Sequence, residues 1–231
     1  MHAPGTTRLS RTRVDLVTAG DSVTTVPYWT DGVPSECFVD LRAHPDLIDE
    51  IAELDGRPAL REHIVLLNES PSPFMTIGCS CATTRLFQQA GPPAWKTSSS
   101  VLLAFVDPEL RDIMSYASLA CALHDALGSA PGTTRWNSVV ELQPAPVVFQ
   151  PAGRPALSLS IRTHGYALDS GAAVHHWSAS MQAQNTAIAS WSRLQDLHGI
   201  EFLTACQWEP GITRPRQRCP AVERPGRRTS Q

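Results

Sequence analysis

Val101-Leu102-Leu103-Ala104-Phe105-Val106-Asp107-Pro108-Glu109 is the stretch from which the fold class follows. Six apolar residues in a row match a strand buried in a core. Asp107-Pro108-Glu109 then opens a helix. The proline stands at an N-terminal position, where its missing N–H costs nothing. That helix is expected to run to about Leu127 and stop at Gly128. A buried strand that feeds a helix means that sheet and helix share one core.

Reading outward gives a mixture. Pro45 to Leu54 predicts a short helix, because Leu47, Ile48, Ile51 and Leu54 recur at helical spacing. His63 to Leu67 predicts a short strand, broken by the turn Ser70-Pro71-Ser72-Pro73. Phe74 to Gly78 leads into Cys79-Ser80-Cys81, and Gly91 to Lys96 reads as a rigid loop. Trp136 to Glu141 and Val147 to Gln150 read as two strands parted by Pro144 and Pro146, and Ala156 to Tyr166 as another. Residues 171–198 predict the strongest helix, with Val174, Trp177, Met181, Ile188, Trp191 and Leu194 on one face. Ile200 to Cys206 is a candidate last strand. The expected class is α+β.

Composition sets the outer limits. The chain has 231 residues, 42% of them hydrophobic and 18% charged, enough apolar material for a real core. No run is long enough for a transmembrane helix. Met1 to Thr18 is polar and lacks an apolar h-region, so a cytoplasmic chain with reduced thiols is expected. Residues 211–231 hold six arginines and one glutamate, a local +5 within a net −3, so the rest of the chain carries −8. No nucleic acid partner is expected for the folded body, and the tail is expected to be disordered.

Cys79-Ser80-Cys81 is the segment with chemical content. Two thiolates one residue apart cannot bond to each other without strain. Thiolates together with the intervening backbone amides are strong donors, suited to a trivalent or tetragonal transition metal. Such a centre acts as a Lewis acid towards water or a bound substrate. Metal-bound thiolates also oxidise stepwise to sulfenic and sulfinic acids. The bland alternative is two small apolar residues in a core.

The order of short motifs around this segment resembles the α-subunit family of nitrile hydratases and thiocyanate hydrolase. Asn68-Glu69-Ser70-Pro71 precedes Cys79-Ser80-Cys81. Pro92-Pro93-Ala94-Trp95-Lys96, then Val101 to Val106 and Asp107-Pro108, follow it. Trp136-Asn137-Ser138 and Pro151-Ala152-Gly153-Arg154-Pro155 extend the likeness, which spans roughly residues 45–165. The resemblance implies a nitrile-hydratase-α-like layered domain with a C-terminal helical extension. The segments would be an N-terminal arm at 1–36, the metal-claw domain at 37–165, the helical extension at 166–210 and the basic tail at 211–231.

It implies further that Cys79 and Cys81 are equatorial ligands of a non-haem iron(III) or cobalt(III). The amides of Ser80 and Cys81 would complete the plane, the Ser80 hydroxyl would lie at the substrate face, and oxidised Cys81 would be the nucleophile. The implied reaction is hydration of a nitrile, or of a related small molecule, by a metal-dependent lyase with a β-type partner subunit. The family begins its claw with a cysteine three residues before the middle one, and this chain has Thr76 there; Ile77 follows where the family has Ser or Thr. The departure at Thr76 raises two alternatives. One is a divergent biosynthetic enzyme of the same fold that no longer hydrates nitriles. The other is a non-catalytic interaction subunit. His63, His164 and His198 leave room for a cysteine–histidine hydrolase, without supporting spacing.

Overall fold

The computed structural model describes residues 10–14, 23–26, 29–30, 33–34, 39–87, 94–129, 138–149 and 154–198. The expected strand at Ile200 to Cys206 and the tail lie outside them. The chain starts with short strands β1 (Ser10–Val14), β2 (Thr24–Val26), β3 (Trp29–Thr30) and β4 (Val33–Pro34). Helix α1 (Pro58–Asn68) leads into a long antiparallel hairpin, β5 (Phe74–Leu86) and β6 (Ala94–Phe105). Helix α2 (Ile113–Ser129) leads into a second one, β7 (Ser138–Phe149) and β8 (Arg154–Ala167), and α3 (Ser170–His198) follows. The main sheet runs β1-β7-β8-β6-β5, with β2 beside β1 on the edge of β7, and both pair with β7 in parallel. The fold is α+β.

Several expectations change in detail. Pro45 to Leu54 forms two 3-10 turns, Pro45–Glu50 and Ala52–Leu54. His63 to Leu67 is not a strand but part of α1. Leu60, His63, Ile64 and Leu67 repeat at helical spacing and are all buried, and Pro58 opens the helix. A five-residue apolar window is too short to reveal that period. Asp107 caps only the 3-10 turn Pro108–Leu110. The longer helix starts at Ile113 and is capped by Asp112, whose Oδ1 accepts the N–H groups of Met114 and Ser115 at 2.6 and 3.0 Å. Ala94 to Lys96 belongs to β6, not to a loop.

The two strands expected around Pro144 and Pro146 are one strand, β7. In a strand, the face a side chain takes fixes the edge to which its own N–H and C=O point. The helix-facing residues of β7, including Pro144 and Pro146, point their backbone groups towards β1 and β2. β1 pairs only as far as Leu142 and β2 only from Val147. The prolines fall in that gap, where no N–H is needed.

The core lies between the sheet and the helices. Phe74, Phe105, Tyr116, Trp177, Met181, Ile188 and Trp191 share it, with Phe74 and Trp191 stacked at 5.3 Å. The stripe on α3 is therefore buried in its own domain over Trp177 to Trp191. The expected boundary at 165–166 falls inside β8, and α3 beyond it belongs to the same core. Gly165 makes this possible: a Cβ there would strike the backbone of Ala173 and Trp177. No described helix is long and apolar enough to cross a membrane.

Candidate functional site

The four expected site residues lie on β5, the last strand of the sheet. Thr76 pairs with Leu103, Cys79 with Val101, Ser80 with Ser100 and Cys81 with Ser99. A bulge lies between Thr76 and Gly78, opposite Leu102. It shifts the alternation by one residue. Phe74 faces the helices before it; Cys79 and Cys81 face them after it, packed against the main core. Ile77 points the other way, into a smaller cluster with Val26, Ala104 and Val147. Ser80 is exposed on that second face.

Thr76, Gly78 and Cys79 line a cleft of about 230 Å³ together with Val39, Leu41 and Ile51. Glu53 stands at its rim. Asn68, at the end of α1, holds Thr76 at two points. Its Nδ2 donates to Thr76 Oγ1 at 2.8 Å, and its Oδ1 accepts the Thr76 N–H at 3.0 Å. Beyond the cleft, Arg57 donates to Thr83 Oγ1 at 3.2 Å, and Thr83 lies 3.1 Å from Thr97 Oγ1. Trp177 Nε1 donates to Ser99, the cross-strand neighbour of Cys81, at 2.8 Å.

The thiols are held protonated. Burial raises the Cys79 thiol to about 11, helped by the negative charge of Glu53 and by Cys81. Burial also raises Cys81, while the Arg57 guanidinium beside it pulls the other way. Neither is an activated nucleophile. His164 lies on the opposite face of the sheet from both cysteines, and His63 is committed to Asn185 Oδ1 at 2.6 Å. The side chain of His198 lies outside the described residues. A cysteine–histidine dyad is therefore not assembled from His63 or His164.

No family model, no curated protein and no solved structure matches this chain.

A planar claw of two thiolates and two amides tests poorly against this strand. Cys79 and Cys81 do present both sulfurs on one face. The amides of Ser80 and Cys81, however, are consecutive in regular strand, and consecutive amides point to opposite edges. The Ser80 amide is turned to β6, and the Cys81 amide is turned away from it. The two cannot meet one ion in a plane while β5 stays paired. The Thr76 hydroxyl accepts a hydrogen bond from Asn68 Nδ2 at 2.8 Å. The donor set does not fit the iron or cobalt claw in this conformation.

What β5 does offer is an open edge. β6 takes one side, and no described strand pairs with the other. The start of that free edge is capped by side chains: the Phe74 carbonyl accepts from Arg42 at 2.8 Å, and Asn68 takes the Thr76 N–H. After the bulge, the helix-facing residues Cys79, Cys81, Thr83 and Arg85 direct their backbone groups to the same edge. Sequence reading missed Arg57, Glu53 and Thr83, which approach only through folding. The β-branched pair Thr83-Thr84 was the available signal for a strand.

Proposed function

We propose that this chain is a non-catalytic interaction subunit that receives an extended segment of a partner polypeptide along the free edge of β5. The observation that carries this reading is the run of outward backbone groups at Cys81, Thr83 and Arg85, with no described strand beside them. A strand edge without proline or lysine guards is a template for pairing. Phe87, 84% exposed at the end of the strand, supplies an apolar anchor.

The test is co-expression with the genomic neighbours, followed by amide exchange on the purified complex. The Cys81, Thr83 and Arg85 amides become protected, and Arg85→Pro removes binding because it deletes an outward N–H. A complex that leaves those amides exchanging and tolerates Arg85→Pro sinks the proposal. So does a dimer of this chain through β5 in place of the heteromer.

The second reading is the metal-dependent nitrile hydratase-like subunit. Its support is that Thr76 and Cys79, two of the expected claw positions, line one cleft. It requires β5 to leave its pairing at Ser80. Stoichiometric iron or cobalt, with oxygen added to Cys79 and Cys81, would favour it over the first.

A further inference from the structure

Two features flank the free edge of β5, and together they specify what an added strand must carry. The first is the cleft of about 230 Å³. Both Ile77 and Cys79 line it, although their side chains pack on opposite faces of the sheet. A strand residue whose side chain is committed to the far face reaches a cleft only through its backbone. The cleft therefore opens along the edge of the strand. Its opposite wall is apolar, formed by Val39, Leu41 and Ile51.

The second feature is Arg57. Its guanidinium meets Thr83 Oγ1 at 3.2 Å on the helix-facing side of β5. Arg57 is half-buried and makes no ion pair among the described residues. A guanidinium has several N–H donors, so the bond to Thr83 leaves others for a second acceptor. Arg85 follows two residues further along the same row and is exposed.

Cys79 and Thr83 are four residues apart and share one face. The residues of an added strand that lie beside them also share that face and the same spacing. The position beside Cys79 meets the apolar cleft, which suits an aliphatic side chain. The position beside Thr83 meets a guanidinium without an ionic partner, which suits a carboxylate. The ladders of β5, β6, β8 and β7 are antiparallel, and antiparallel pairing is slightly the more stable. In that sense the acidic residue of the partner precedes the aliphatic one.

We propose that the partner segment is an acidic strand of the pattern acid-x-x-x-aliphatic, with its carboxylate on Arg57 and its aliphatic side chain in the cleft beside Cys79. This rests on the reading of β5 as a docking edge and names what docks there.

The experiment uses the full chain, isotopically labelled and titrated with the blocked peptide Thr-Glu-Thr-Val-Thr-Leu-Thr. Two further peptides carry lysine in place of the glutamate or serine in place of the leucine. Saturable NMR shifts of the Cys81, Thr83 and Arg85 amides are expected. Each replacement peptide binds about tenfold more weakly. Arg57→Met keeps the apolar stem and removes the preference for glutamate over lysine. Equal affinity for all three peptides, or a glutamate preference that survives Arg57→Met, overturns the proposal and leaves the docking edge standing. No response of those amides to any of the three peptides, or their protection by a dimer of this chain, overturns both.

Discussion

Asn68 closes both polar groups of Thr76, donating to its hydroxyl at 2.8 Å and accepting its amide at 3.0 Å. The end of α1 is thereby pinned to the strand that bears the two cysteines. Asn68 is itself buried, and its Nδ2 also donates to the Ile64 carbonyl at 2.8 Å.

Asn68→Ala leaves the Thr76 amide and hydroxyl without their partner. A loss of about 1–3 kcal/mol of stability is expected, read as a lowered midpoint in urea with an unchanged slope. A smaller loss is expected for Thr76→Val, which keeps the amide bond and removes only the hydroxyl.

His63 makes stability fall in acid. Burial lowers it from 6.5 to about 4, and its hydrogen bond to Asn185 opposes that only in part. The unfolded chain takes up the proton near 6.5 while the folded chain does not. The contribution is therefore fully present above that value and is lost as pH falls towards 4, by roughly 3 kcal/mol in all. Urea midpoints measured from pH 7 to 4 should show this slope, and His63→Leu should flatten it. An equal slope in the variant would refute the assignment.

Cys79 should resist alkylation. A thiol moved from 9 to about 11 leaves about one hundredth of the thiolate at neutral pH. Site-resolved mass spectrometry after iodoacetamide should find Cys79 modified about a hundredfold more slowly than an unburied thiol. Arg57→Ala should slow Cys81 further, because it removes the positive charge that opposes burial.

Gly165→Ala should unseat α3. The added methyl meets the helix backbone at Ala173 and Trp177, which has no flexible end to move aside. A loss of about 2–4 kcal/mol is expected. Thermal unfolding checks it, and quenching of Trp177 fluorescence reports the shift of the helix. A change under 1 kcal/mol, on the order of a surface substitution, would contradict the close packing.

The α+β class, the strand at Val101 and the helix over residues 171–198 were legible in the sequence alone. Each rests on local information: an apolar run or a helical period. The identity of residues 63–67 was not legible, since the helix needs Pro58 and Leu60 to show its period. Nor could a linear reading join Pro144 and Pro146 into one strand, because the gap that tolerates them is created by where β1 ends and β2 begins. The bulge at Ile77 decides which face the cysteines take, and the edge position of β5 decides which backbone groups are free. Glu141 and His164 meet only through the register of β7 and β8. Local preferences are set by the residues themselves, whereas faces, edges and clusters are set by long-range pairing, and only the tertiary structure decides that.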